Sequence, residues 1–476
     1  MATAEPGPAP PKPACAVTFG SSTLLCRHLA TALAASGRWS AVIVLDPSPS
    51  SSSPPASHLV YHRTVDLSDA AAIVSALSGA AAVFHVDATT AAASGSDGSF
   101  LSLHRLAVEG MRRLLVACRG AAGVGRVVYA GSADVVAAGA LDVINADEGS
   151  APYPDKFENA VSELRAQVEM MVLCADGVRT CVLRPSNLFG PGDSNLVRFN
   201  AGYARSRSFQ FVIGTGSNMS DFTYVENVAH ANICAEQALH SNATSVAGKP
   251  FFVTNDEPME TWEFMNCIME AMGCQRPKIN LPAKMPLFAA SFSDIIHRRL
   301  GFQNFSTPLL HLDTIYFLSC TRTFNTSKAR RLLGYYPTVS LEDGVMRTVG
   351  SFSEPSDNFG LSRKQGSFGS SKADKLLGSG AAADILLWRD EKRTFSFVTL
   401  LFLLFYWFLL SDNYCFQSAA KFLLVISFAL FIHGVLPSQV FGFTVEEVTS
   451  DHFEVSPSAL RNSFMCLASA WNGEHS

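Results

Sequence analysis

The chain has 476 residues, of which 36 are basic and 41 acidic, for a formal net charge of -5. This balance gives no electrostatic reason to expect nucleic acid as a partner. The length suffices for one large core and further modules, and the eleven cysteines are scattered, with no CxxC and no Cys/His cluster, as expected of reduced, mostly buried thiols.

Residues 1–13 lack the charged start and apolar stretch of a secretory signal and are expected to form a short disordered tail. From residue 14 the pattern alternates. "ACAVTFG" is an apolar run ending at a turn, and "TLLCRHLATALAASG" has helical spacing and a glycine stop. "SAVIVLDPSP" is a buried strand ending in Asp46. "AAAIVSALSG" is helical, "AAVFHVDA" a strand, "LHRLAVEGMRRLLVACRGA" one long helix and "GRVVYAGSADVV" another strand. Repeated strand–helix units predict an α/β domain with a Rossmann-like, doubly wound parallel sheet.

The alternation loosens after residue 187. "SDFTYVENVAHANICAEQAL" and "METWEFMNCIMEAMG" supply further strands and helices for a smaller C-terminal substrate region, and "FNTSKARRLLGYYPTVSLEDGVMRTVGSF" is a closing helix–loop–helix. The expected α/β domain spans 14–351. Residues 352–384, rich in Ser, Gly and charge, are expected to be a flexible linker.

A dinucleotide-binding loop needs glycines after the first strand, so that the pyrophosphate can approach the helix N-terminus. Aligned by the following "RHL", the three positions are Gly20, Thr23 and Cys26; only the first is glycine, although "GSST" offers hydroxyl donors. Asp46 stands where an acid binds the adenosine ribose hydroxyls and favours NAD over NADP; the alternative is an exposed turn before Pro47. Asp66, in "YHRTVDLSD", is a candidate adenine contact or a simple strand-end acid.

Residues 385–476 contain two apolar runs, 395–410 and 419–436, separated by the polar turn "SDNYCFQS". The first is uncharged over sixteen residues. At about 1.5 Å per residue it reaches roughly 24 Å, less than a ~30 Å hydrocarbon core. That suits a helical membrane hairpin, or two short spans in a thin membrane such as the endoplasmic reticulum. Arg389, Lys392 and Arg393 at the entry put this end, and the α/β domain behind it, on the cytosolic side. Leu460, Phe464, Leu467 and Trp471 share one helical face, for a membrane surface or for the α/β domain.

The segments "CVLRPSNLFGPGD", "SDFTYVENVAHANICAEQAL", "GKPFFVTNDEPMETWEFMN" and "KARRLLGYYPTVSLEDGV" resemble the plant sterol 3β-hydroxysteroid dehydrogenase/C-4 decarboxylase family of extended short-chain dehydrogenases. The tail from "ILLWRDEKRTFSF" to "HGVLPSQVFGFTV" resembles the reticulon part of its fused form. The likeness covers nearly all of 14–476 apart from the linker. Two hydrophobic hairpins are usual in reticulons and one is evident here, so anchoring is the expected role ahead of membrane shaping. The resemblance implies oxidation of a 3β-hydroxy-4-carboxysterol with NAD and loss of carbon dioxide, hence a sterol-like ligand and membrane lipid as partners. It also implies a helix bearing a tyrosine that takes the hydroxyl proton. Four residues on, a lysine lowers that tyrosine's pKa and holds the nicotinamide ribose.

In "ENAVSELRAQVE" those places hold Val161 and Arg165, and none of the ten tyrosines begins a Y-x-x-x-K. Ser132 matches the family's strand-end hydroxyl that bonds the substrate oxygen, and Arg165 is the candidate for a ribose hydroxyl. Arg184, Pro185 and Gly190 match the "RP…GPG" segment that wraps the nicotinamide, or else form a plain strand end and turn. Tyr153, in "PYP", is a conceivable stand-in for the missing tyrosine and, more simply, a loop aromatic. The chain therefore presents itself as a dehydrogenase fold whose proton machinery is replaced, with a non-catalytic binding scaffold or a membrane-shaping protein as the alternative roles.

Overall fold

The computed structural model describes residues 12–18, 23–46, 57–66, 69–87, 89, 100–137, 142–157, 160–193, 195–196, 199–200, 211–272, 276–277, 279–287, 290, 312–352, 439–440 and 443–444. Contacts divide the chain into one unit over 1–358 and a second over 359–476.

The first unit is built on seven parallel strands: β1 (Ala14–Thr18), β2 (Val42–Asp46), β3 (Val60–Thr64), β4 (Ala80–Val86), β5 (Arg126–Ala130), β7 (Arg179–Pro185) and β12 (Lys249–Val253), in the order β12-β7-β5-β4-β1-β2-β3. The strand order reverses direction at β1, leaving a crevice between β1 and β4 at their C-terminal ends, where ligands of such sheets lie. This is the Rossmann-like, doubly wound parallel sheet that the alternating pattern predicts.

Side chains alternate across a strand, and both faces of this sheet are apolar. Cys15, Val17, Val42, Val44, Ala82, Phe84, Val128 and Leu183 pack on one side with α1 (Leu24–Ala35) and α5 (Val225–Ser241). Ala16, Ile43, Leu45, Val83, Val127, Tyr129 and Val182 pack on the other with α2 (Ala70–Ala76), α3 (Gly110–Gly120) and α4 (Ala160–Leu173). Each fully buried Val, Leu, Ile or Phe contributes about 1.5–3 kcal/mol, so both faces are needed and neither can be turned to water.

Two details depart from the sequence pattern. The helix expected to run unbroken over 103–121 is an α turn (Phe100–His104), a π stretch (Arg105–Glu109) and then α3. After a loosely patterned stretch, β12 returns to the main sheet beside β7, in register Phe251 to Leu183. The smaller region is a four-stranded sheet, β13-β10-β15-β6, of β6 (Val143–Ala146), β10 (Met219–Ser220), β13 (Met259–Glu260) and β15 (Arg322–Phe324). The closing helix–loop–helix is present as Ser327–Leu333 and Leu341–Phe352, the first ended by Gly334 in the left-handed conformation.

In the second unit the described residues form one short antiparallel pair, Gln439–Val440 with Phe443–Thr444. Both apolar runs, the linker after residue 352 and residues 1–11 of the N-terminal tail lie outside the described residues. Among the described residues no helix is long and apolar enough to cross a membrane, and eight cysteines are free, six of them buried.

Candidate cofactor and active site

The turn from β1 into α1 is closed by Thr23, an extended N-cap residue whose Oγ1 accepts from the backbone N–H of Cys26 at 3.4 Å. Cys26 is fully buried, with Sγ 4.0 Å from the Thr18 carbonyl. Its side chain fills the helix–sheet contact where a glycine would let the two approach. Burial pushes its thiol well above the ordinary range, so it stays protonated and unreactive. Gly20 lies outside the described residues.

Asp46 ends β2 and is nearly buried, with Oδ2 3.6 Å from Nδ1 of His62 on the neighbouring β3. Asp66 is exposed. Its carbonyl accepts from the N–H of Asp69, whose carboxylate caps α2.

The C-terminal ends of β4 and β5 carry the densest polar cluster. His85, on β4, is buried, with Nδ1 2.6 Å from Thr18 Oγ1. Burial pushes its pKa down to about 4, against a smaller pull from Asp87, so the ring is neutral at pH 7. Thr89 donates from N (3.1 Å) and Oγ1 (2.9 Å) to Asp87. Ser132, just past β5, caps a 3-10 turn (Ala133–Val135), its Oγ accepting from Asp134 N at 3.2 Å. This turn presents Asp134 to the same place.

Arg165 joins the three segments. Its Nε donates to Asp87 Oδ2 at 2.7 Å and to Thr89 Oγ1 at 3.1 Å, and its Nη1 donates to Asp134 Oδ2 at 3.1 Å. Burial disfavours its charge, but Asp87 and Asp134 outweigh that and hold the guanidinium above the ordinary arginine range. A shallow pocket beside it is lined by His85, Asp87, Thr89, Leu106, Ala107, Tyr129 and Val168. Leu106 and Ala107 come from the π stretch, a local irregularity that often accompanies sites. One turn earlier on α4, Val161 packs on the apolar cluster of this face.

One turn later comes Glu169, which the sequence pattern did not single out. It is fully buried and accepts three hydrogen bonds on Oε1: from Arg184 Nε (2.9 Å), Arg184 Nη2 (2.5 Å) and Tyr153 Oη (2.6 Å). The Arg184 guanidinium lies 5.4 Å from the ring centre of Tyr153 and 5.3 Å from that of Phe252. Glu169 Oε2 and Arg184 Nη1 are buried without a hydrogen-bond partner. Burial first, and then the Glu169 charge, push the Tyr153 phenol well above its ordinary range.

Val161, Arg165 and Glu169 thus form an i, i+4, i+8 stripe on α4. The structure brings Ser132 and Arg165 to one cluster through Asp134. It sends Arg184 and Tyr153 to a second cluster around Glu169, while Asp46 and Asp66 stand apart at the ends of β2 and β3. Pro185 ends β7 opposite Val253. Gly190 is a packing glycine, since a Cβ there would meet Val225 Cγ1 at 2.3 Å. The spacing of four from Arg165 was the available signal for Glu169. Nothing periodic marks Asp87 or Asp134.

Residues 17–283 match the model of the family described as 3-beta hydroxysteroid dehydrogenase/isomerase, and residues 382–474 match that of Reticulon. The chain is 37% identical over 419 residues to the 3beta-hydroxysteroid-dehydrogenase/decarboxylase isoform 2 of Arabidopsis thaliana, covering 87% of this chain and 72% of that one. Isoform 3 is 39% identical over 416 residues with the same coverage. The decarboxylating sterol-4-alpha-carboxylate 3-dehydrogenase of Mus musculus is 31% identical over 297 residues, 60% of this chain and 78% of that one. Among solved structures, an epimerase from Methanothermobacter thermautotrophicus aligns with TM-score 0.54 at 20% identity, covering 72% of this chain and 92% of that one. A dTDP-glucose 4,6-dehydratase from Streptomyces venezuelae, solved with NAD bound, aligns with TM-score 0.53 at 18% identity, covering 72% and 97%. These two likenesses concern the fold.

Proposed function

The chain belongs to the 3-beta hydroxysteroid dehydrogenase/isomerase family, and from that premise we propose that it is a membrane-held member that keeps the dehydrogenase fold without the oxidation chemistry of its relatives. The relatives named above are dehydrogenases acting with decarboxylation, and the sterol carboxylate in the mouse protein's name supports a sterol-like ligand for this chain. The family resemblance supports NAD as the ancestral cofactor. Of the residues singled out for it, we assign Asp46, at the end of β2, to the adenosine ribose.

The observation that carries the non-catalytic reading is the stripe Val161–Arg165–Glu169. Oxidising a secondary alcohol requires a base for the hydroxyl proton, and such a base works best with a pKa near the working pH. Val161 has no transferable proton. Tyr153 donates a hydrogen bond to the buried Glu169 carboxylate, and burial first and that charge second raise its pKa, opposite to the lowering a cation gives. The phenol that Arg165 acts on is that of Tyr129, which burial nonetheless holds well above its ordinary range; the Nε and Nη1 of Arg165 are held by Asp87, Thr89 and Asp134. Ser132 Oγ accepts from the Asp134 N–H, which leaves its O–H as a donor for a substrate oxygen but supplies no base.

Purified full-length protein, given NAD and a 3β-hydroxy-4-carboxysterol, is expected to turn over slower than the Arabidopsis relatives by at least roughly 10²–10⁴, the usual contribution of general acid–base catalysis. Turnover within tenfold of theirs, followed as NADH absorbance and released carbon dioxide, sinks the reading.

The reticulon match supports an endoplasmic reticulum membrane association for residues 382–474. The proposed arrangement has the α/β domain over 14–351, a linker over 352–384, and both ends of the chain on the cytosolic side of a short hairpin. Protease added outside sealed microsomes is expected to remove an N-terminal tag and a C-terminal tag alike. Protection of one tag alone contradicts the hairpin.

A further inference from the structure

Resting on the non-catalytic reading above, we propose that Arg165, Asp87 and Asp134 form an internal ion-pair plug at the nicotinamide end of the crevice, so that the nicotinamide riboside half of a dinucleotide contributes nothing to binding. The residues present do not fit that half of the cofactor, for two reasons of geometry.

The helix position that holds a ribose diol in the family needs donors left available for two hydroxyl oxygens. Here Nε and Nη1 of Arg165 are already aimed at two carboxylates and a threonine hydroxyl, at 2.7, 3.1 and 3.1 Å. Charged hydrogen bonds of this kind are the strong ones, and a neutral sugar hydroxyl is a weaker acceptor than a carboxylate. A diol competes poorly for Nε and Nη1.

The trio is also rigid and mostly shut off from water. The side chains of Arg165 and Asp87 are 11% and 9% exposed, and only Asp134 reaches solvent, at 43%. Asp87 is fixed further by both donors of Thr89, and Asp134 by the Ser132-capped turn. The plug therefore bridges the ends of β4, β5 and α4 by itself, a span that would otherwise be bridged through a bound ligand. Asp46 at the end of β2 lies apart from the trio, so any affinity left resides in the adenosine half, which NAD and ADP share.

The test compares NAD with ADP by calorimetry on the full chain in detergent micelles. The expected result for the unsubstituted protein is equal affinity within about threefold, or no measurable binding of either. In Asp87→Asn with Asp134→Asn, which keeps the shapes and loosens the carboxylates' hold on Arg165 Nε and Nη1, the NAD-over-ADP affinity ratio is expected to rise at least roughly tenfold, or NAD binding to appear. NAD binding tenfold or more tighter than ADP in the unsubstituted protein overturns the plug, even with no turnover. So does a folded double variant whose ratio does not rise. Should the double variant not fold, Asp134→Asn alone decides in the same way with an expected rise of about threefold, because Asp134 is the exposed member. NAD binding without turnover would leave the non-catalytic reading standing and remove the plug alone, whereas turnover would remove both.

Discussion

Replacing Glu169 by leucine is expected to cost about 3–5 kcal/mol of stability, the usual penalty for leaving a buried charge without its partner. Arg184 is 3% exposed in its side chain and Glu169 is fully buried, so water cannot take over either charge. Two cation–π contacts remain, with Tyr153 and Phe252. At about 0.5–1 kcal/mol each they offset less than half of the loss. The Tyr153 hydroxyl also forfeits its acceptor, adding a neutral-bond deficit of about 1 kcal/mol. In thermal unfolding this is a midpoint lower by at least roughly 6 °C. Pairing Glu169→Leu with Arg184→Met should recover most of the loss, since an apolar pair of similar volume is often as stable as the ion pair it replaces. A single variant within 1 kcal/mol of the parent, or a double variant at the sum of its singles, contradicts this account.

Replacing Arg165 by methionine is expected to cost somewhat less, about 2–3 kcal/mol, on the scale of a hydrogen bond to a charged group. The difference lies in exposure: Asp134 is 43% exposed in its side chain and can be rehydrated, while Asp87 at 9% cannot. Arg165→Lys should fall in between. An ammonium keeps the charge but not the planar fork that reaches Asp87 and Asp134 at once. Raising the salt concentration should weaken only the Asp134 part of the effect. Equal losses for Met and Lys, measured by denaturant unfolding, would mean that the charge at this position does nothing. The same geometry predicts that tyrosine at 161 with lysine at 165 would not by itself restore a working pair, because Asp87 would capture the new ammonium.

Much of this fold is legible in the sequence. "ACAVT", "VIVLD" and "AAVFHV" are apolar except for Thr18, Asp46 and His85 at or next to their C-terminal ends, because alternate residues feed two separate cores, and only a sheet covered on both faces asks for that. The π stretch at 105–109 is not legible. Its apolar spacing differs from that of an α-helix by a single residue over five. The return of β12 was missed for another reason: a five-residue strand at a sheet edge is specified by its neighbour β7, far away in sequence. At the site, the loss of tyrosine and lysine could be read directly from residues 161 and 165. What took their place could not. Asp87 and Asp134 are single acids in two unrelated loops, and the fold alone brings them to one guanidinium. Glu169 lay within reach, at helical spacing from Arg165, but its burial depends on Arg184 arriving from β7.

The order in which the strands are spelled out along the chain has a consequence for synthesis. Six of the seven strands of the main sheet lie before residue 186, and the last ends at Val253. The first apolar run begins at Phe395, roughly 140 residues later. At about 5–20 residues per second, a ribosome needs on the order of ten seconds to cover that distance, longer than the milliseconds to seconds in which sheet-containing domains of modest size close. The main sheet can therefore finish pairing in water while most of the residues that match Reticulon are still unmade. The slow, aggregation-exposed stage of pairing parallel strands is then over before those residues can meet lipid.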